Sequence, residues 1–152
     1  MAEVIEVRCF LFGHRDAGSA LMPQLDEEVE RHIIACGVTE FVVGQYGAFD
    51  RMAARAVLNA KRRHPEVKLS ILLPYHPSDR EVRASEGFDC TIYPPGMEKV
   101  PRRLAIVKAN EYMVKHCDYV IAYAWQSGSN ALRLLELAQR KKGISITMVN
   151  RL

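Results

Sequence analysis

Apolar residues along the chain alternate between short continuous runs and stretches with three- or four-residue spacing. The first run, Val4 to Phe12, is rich in β-formers and ends in Gly13-His14-Arg15-Asp16. Leu21, Leu25, Val29 and Ile33 then recur every fourth position with charged residues between them, which predicts an amphipathic helix ended by Gly37. A second strand is predicted from Thr39 to Val43, closed by Gly44. Phe49, Met52, Ala53, Ala56, Val57 and Ala60 mark one face of a helix that stops at His64-Pro65. A third strand spans Val67 to Leu73 and is cut by Pro74. Between Tyr75 and Pro101 the pattern dissolves into a proline-rich stretch, within which Glu81 to Ser85 reads as a short helix and Cys90 to Tyr93 as a short strand. Regular pattern resumes with a helix over Arg102 to Cys117 and a strand over Asp118 to Ala124. A helical face at Ala131, Leu134, Leu135 and Ala138 and a last strand from Ile144 to Val149 complete the pattern. Strands alternating with helices in this way predict βαβ units, that is, an α/β, three-layer Rossmann-like fold with a mostly parallel sheet.

Such folds bind ligands outside the carboxyl ends of the strands, at a topological switch point, so the residues just after each strand are the ones to read. The first strand delivers Gly13, His14 and Arg15, a glycine that admits close backbone approach followed by two contacts suited to an anion or a base. The second delivers Gly44, Gln45, Tyr46, Gly47 and Asp50, where two glycines before a helix suit a phosphate cradle of backbone N–H groups. The third delivers Pro74 and Tyr75, a rigid aromatic turn on which a planar base could stack. The fifth delivers Gly128, Ser129 and Asn130, small polar residues that open a helix and either meet phosphate or cap the helix. Neither G-x-G-x-x-G nor G-x-x-x-x-G-K-[ST] occurs, so this is not a dinucleotide fingerprint or a P-loop. Asn110 interrupts the stripe formed by Ile106, Met113 and Cys117; its amide must bond a neighbouring loop or contact a ligand. Arg103 lies seven residues earlier on nearly the same face, at a helix start where a cation opposes the dipole unless it meets an anion.

Composition narrows these readings. With 152 residues, 49% hydrophobic and 26% charged, the chain is expected to be one domain over residues 1–152. The longest uncharged run, Tyr119 to Leu132, is too short and too polar to span a bilayer. The N-terminus carries acidic residues where a signal peptide needs basic ones, so a cytoplasmic protein with no membrane association is expected. A net charge of +3, from 21 basic against 18 acidic residues, gives no concentrated basic face and argues against nucleic acid. The four cysteines are dispersed and read as free thiols; with five scattered histidines they suggest no metal and no resident cofactor.

Several motifs together resemble a known family. Gly13-His14-Arg15, Gly44-x-Tyr46-Gly47-Ala48-Phe49-Asp50, Leu73-Pro74-Tyr75 and Tyr93-Pro94-Pro95 are similar to motifs of small YpsA-like proteins. So are Val100-Pro101-Arg102-Arg103 through Asn110-Glu111-Tyr112-Met113-Val114, and Asp118-Tyr119-Val120-Ile121-Ala122-Tyr123. These proteins belong to the SLOG superfamily, with the lonely-guy phosphoribohydrolases and the DNA-processing Smf/DprA proteins. The resemblance covers Phe10 to Asn150. It implies a Rossmann-like fold and a pocket for a nucleotide or nucleotide-derived ligand, built from Gly13, Arg15, Gly44, Gly47, Asp50, Arg103, Asn110, Gly128 and Ser129. The family's helix usually carries an arginine directly before the asparagine, where this chain has Ala109. The glycine pair that opens its last helix is Gly128-Ser129 here, and the catalytic glutamate of the lonely-guy enzymes has no counterpart nearer than Glu136. These departures favour binding without turnover, with an N-glycosidase acting on nucleoside phosphates as the alternative. Related domains are often dimers, so a homodimer contacting through Trp125, Met97 and the clustered prolines is a further expectation.

Overall fold

In the computed structural model, which describes residues 5–82 and 86–149, six strands form a parallel sheet in the order β4-β3-β2-β1-β5-β6. The strands are β1 (Arg8–Gly13), β2 (Glu40–Val43), β3 (Lys68–Leu72), β4 (Cys90–Ile92), β5 (Tyr119–Tyr123) and β6 (Ser145–Met148). The helices are α1 (Met22–Ile34), α2 (Ala48–Lys61), α3 (Ala105–Lys115) and α4 (Asn130–Arg140). The architecture is the three-layer Rossmann-like one that the alternation predicts.

The period-two rule of a strand explains how one sheet supplies two cores. Cys9 and Leu11 of β1, Phe41 and Val43 of β2, and Ile121 and Tyr123 of β5 belong to the core shared with α1 and α2. Their neighbours Phe10, Phe12, Val42, Val120 and Ala122 point the other way, into the core shared with α3 and α4. Buried on both faces, these strands are apolar past their first residues, Arg8 in β1 and Glu40 in β2, which is why they read as runs and not as alternations. Burying a side chain such as Phe10 or Leu11 contributes roughly 1.5–3 kcal/mol.

Most element boundaries shift by one or two residues from expectation, and three differences matter more. The stretch read as a helix at Glu81 to Ser85 is not helical at Glu81 and Val82, and the rest of it lies outside the described residues. The helix read from Arg102 instead begins as a 310 turn over Arg102–Leu104, with α3 proper starting at Ala105. Met97, expected at a partner surface, is buried against α3. The predicted stop at Gly37 holds for a physical reason: its φ of +70° is a left-handed conformation that glycine alone adopts without cost. Cys9 and Cys117 are buried, Cys36 is half-buried and Cys90 exposed, all as free thiols. No helix among the described residues is long and apolar enough to cross a membrane.

Candidate functional site

The strand order fixes where a site can form. After β1 the chain moves to β2, β3 and β4 on one side, then crosses to β5 on the other side of β1. The loops leaving β1 and β5 therefore diverge, and a cleft of about 320 Å3 opens between them. Gly13, His14 and Arg15 line it from β1, Gly44, Tyr46, Gly47 and Asp50 from β2, and Pro74 from β3. Asn110 lines it from α3, and Ser129 and Asn130 from the start of α4.

The turn after β1 and the turn after β2 are clasped together, and the sequence Gly47-Ala48-Phe49-Asp50 performs the clasping. A Cβ on Gly47 would lie 2.8 Å from the Arg15 Cα, so only glycine lets the two backbones meet. Next in sequence, the Ala48 N–H donates to the Arg15 carbonyl at 2.8 Å. Phe49, fully buried, lays its ring under Gly13, where a Cβ would come within 2.7 Å of it, and stacks on Tyr123 with centroids 6.3 Å apart. Asp50 Oδ2 accepts the Tyr46 N–H at 2.9 Å, and the carboxylate occupies the space beside Gly44 where a Cβ would sit 2.7 Å away. Burial raises the Asp50 carboxyl to about 6, against the opposing pull of the Tyr46 N–H, Arg15 and Arg51.

This geometry changes the reading of that turn. A phosphate cradle needs open N–H groups, but Tyr46 and Ala48 spend theirs on Asp50 and Arg15, and a carboxylate already sits at this helix end. Donors without a described acceptor are found at α4 as well. There Ser129 Oγ accepts the Leu132 N–H at 3.1 Å and donates to the Gln126 carbonyl at 2.7 Å, closing the cap. The Asn130 and Ala131 N–H groups, in the first helical turn, donate to no described group.

His14, read from the sequence as a contact for an anion or a base, is engaged by the backbone of the β5–α4 loop. Its Nε2 accepts the N–H groups of Trp125 at 2.9 Å and Gln126 at 3.2 Å, which places the ring proton of the neutral form on Nδ1. Burial lowers the pKa of this imidazole, with Asp16 opposing. The ring meets Tyr123 and Trp125 edge-on, at centroid distances of 5.3 and 5.4 Å. His14 thus pins the β5–α4 loop to β1 as an uncharged acceptor.

Asn110 is half-buried on α3, lines the cleft, and no described residue hydrogen-bonds its amide. Of the two fates open to this residue, a loop partner is therefore not seen among the described residues. Gln45, Tyr75, Arg103 and Gly128 do not line the cleft. The Arg80 guanidinium lies over one face of the Tyr75 ring, 4.2 Å from the centroid, and the Tyr75 hydroxyl donates to the Arg102 carbonyl. Arg103 is exposed in the 310 turn that precedes α3, so it neither opposes that helix's dipole from within nor reaches the cleft. Gly128, at φ +77°, shapes the turn ahead of Ser129. Glu136, the carboxylate nearest in sequence to the expected catalytic position, is exposed and outside the lining.

Sequence reasoning missed Asp16 and Gln126, and the apolar wall formed by Phe12, Ile106, Val107 and Leu134. Asp16 and Gln126 adjoin residues already singled out, so proximity was their only signal. Phe12, Ile106 and Leu134 read as core by their spacing, which does not say where a core opens into a cleft, and Val107 carries no signal of its own.

No protein-family model matches the chain, and no curated protein sequence does either. Solved structures are similar in fold. DNA processing protein A (DprA) from Streptococcus pneumoniae superposes with a TM-score of 0.70 at 16% identity, over 94% of this chain and 50% of that one. The chain thus spans half the length of that DprA. A molybdenum cofactor binding protein from Rippkaea orientalis gives 0.65 at 16% identity, covering 97% of this chain and 80% of the other. The Moco carrier protein from Chlamydomonas reinhardtii gives 0.56 at 12% identity, covering 95% and 76%. In sheet order and layering, the chain shares the fold of these proteins.

Proposed function

We propose that this protein binds a nucleotide or nucleotide-derived ligand in the cleft at the carboxyl ends of β1 and β5, as a sensor or carrier and without turnover. One observation carries the reading above the others: Asn110 presents an amide with no described partner to a cleft whose wall around it is apolar. Facing the open cleft, this amide can supply both a donor and an acceptor to the edge of a heterocycle. In this reading Ile106, Val107 and Leu134 flank the base, and the anionic group sits on the open N–H groups of Asn130 and Ala131, where the α4 dipole favours negative charge. Arg15 supplies the full positive charge. The volume, about 320 Å3, suits a small ligand. Among similar folds, one is named for binding a molybdenum cofactor, which supports a small-ligand use of this architecture.

The same reading places the protein in the cytoplasm, where four free thiols stay reduced, and keeps a homodimer centred on Trp125, 39% exposed. A second reading, hydrolysis of an N-glycosidic bond, is favoured by one feature: a cleft carboxyl raised to about 6 can exist as the acid that a leaving base needs. Against it stand Ala109 in place of the family arginine and the exposed Glu136. A panel of nucleoside monophosphates separates the two. Binding predicts a rise in melting temperature with no base released, since a ligand of the native state stabilises it by mass action. Release of free base, abolished in Asp50→Ala, establishes the hydrolase. No thermal shift with any nucleotide contradicts both.

A further inference from the structure

A second concavity, about 570 Å3, runs between α1 and α2, on the outer surface of that layer and apart from the cleft. Met22, Met52 and Leu58, all half-buried, form its floor, and Arg51, Arg55 and Arg62 stand exposed along one side of α2. These arginines differ from others in the chain. Arg8 pairs with Glu40, Arg31 with Glu28 and Arg63 with Glu30, at 2.7–2.9 Å. No carboxylate among the described residues comes within 4.0 Å of Arg51, Arg55 or Arg62. Arg51 and Arg55 are four residues apart, where like charges repel, and Arg51 lies one residue past Asp50 in the first turns of α2, where a cation opposes the dipole. Three exposed cations without an ion pair among the described residues thus line one side of the groove. Arg51 feels the neighbouring Asp50 carboxyl and Arg62, at the C-cap, suits the dipole, while Arg51 and Arg55 repel each other.

We propose that this groove docks an acidic, aliphatic segment of a partner protein, its carboxylates on the three arginines and its apolar side chains on Met22, Met52 and Leu58. Charge complementarity selects an anionic occupant, and the floor selects a peptide. Single-stranded nucleic acid sites stack bases on aromatic rings, and no aromatic residue lines this groove. Thioether and leucine side chains adapt to aliphatic partners, and methionine is common at surfaces that accept amphipathic segments. From Arg51 to Arg62 the stripe runs about 16 Å, three turns of helix.

The full chain is titrated with a fluorescein-labelled peptide of about 14 residues, long enough to span the groove, carrying leucine at i, i+3, i+4 and i+7 and glutamate elsewhere. Saturable binding is expected, weakened roughly tenfold or more by the double substitution Arg55→Glu and Arg62→Glu and by raising salt from about 50 to 300 mM. Arg55→Gln provides a milder variant, with a smaller loss. Nucleotide-induced stabilisation of both variants must persist, which shows that the fold and the cleft are intact. Absence of saturable binding, or equal binding by the charge-reversed chain, overturns the proposal. So does displacement of the peptide by oligothymidylate at lower concentration, which assigns the groove to nucleic acid. Self-association of the wild-type chain that is lost in Arg55→Glu, Arg62→Glu assigns it to a second copy and overturns the proposal equally.

Discussion

Replacing Asp50 by asparagine isolates the electrostatic cost of the clasp. The substitution keeps the shape and keeps a side-chain oxygen to accept the Tyr46 N–H, which the carboxylate now accepts at 2.9 Å. Burial raises the carboxyl from its ordinary value of 3.8 to about 6, so between those pH values the folded chain holds a proton that the unfolded chain has released. Folded stability consequently falls as pH rises through that window, and the full penalty is present above about pH 7. One tenfold change in proton affinity is worth about 1.4 kcal/mol. The rise therefore corresponds to about 3 kcal/mol, reduced to about 2–3 once solvent at the half-buried side chain is allowed for. Urea unfolding of both chains from about pH 4 to pH 8 measures it. Asp50→Asn should match the wild type near pH 4 and exceed it by about 2–3 kcal/mol at pH 8, with roughly half the gain already present at pH 5. A difference that stays flat across this range, or an asparagine variant that is less stable at pH 8, refutes the reasoning.

Other substitutions test the remaining contacts. Gly13→Ala forces a Cβ to within 2.7 Å of the Phe49 ring and should destabilise by about 1–3 kcal/mol in urea unfolding, the usual cost of overpacking. Gly47→Ala drives the Arg15 and Gly47 backbones apart and should abolish the thermal shift given by nucleotides while leaving a cooperative transition. His14 is a neutral acceptor with a depressed pKa, so its contribution to stability is present above about pH 6.5 and is lost as pH falls through its folded value. Two-dimensional NMR of the imidazole should show Nδ1 protonated and Nε2 bare at neutral pH, and His14→Ala should strip protection from the Trp125 and Gln126 amides in hydrogen exchange. Asn110→Leu should change stability by no more than about 1 kcal/mol, because no described bond is broken, yet remove nucleotide stabilisation.

The sheet was legible because its strands are covered on both faces and so appear as bounded apolar runs; the helices were legible from their four-residue spacing. Where the backbone conforms to a 310 turn, as at Arg102–Leu104, the periodicity of a helix is already present one turn before the helix is. That offset moved Arg103 out of the site. The glycine turns were recognised, but their use was not. Strand-to-helix glycines admit either a ligand or another segment of backbone, and at Gly47 the segment is Arg15. The carboxylate of Asp50 was equally ambiguous, since a first-turn acid suits a helix end whether or not it also closes a loop. The contact of Arg80 with Tyr75 is invisible in the sequence, because Arg80 lies five residues later in a stretch without periodicity, where no pattern brings the guanidinium to the ring. Asn110 was the clearest signal, because an amide in an apolar stripe contradicts its surroundings in any fold.

Amide-resolved NMR titration with a nucleoside monophosphate tests the cleft most directly. Shifts should concentrate at Gly13, Arg15, Asn130 and Ala131 and at the Asn110 side-chain amide, saturating together with one affinity. Shifts centred on the groove between α1 and α2, or none at ligand concentrations that saturate ordinary nucleotide sites, contradict a nucleotide pocket at the ends of β1 and β5.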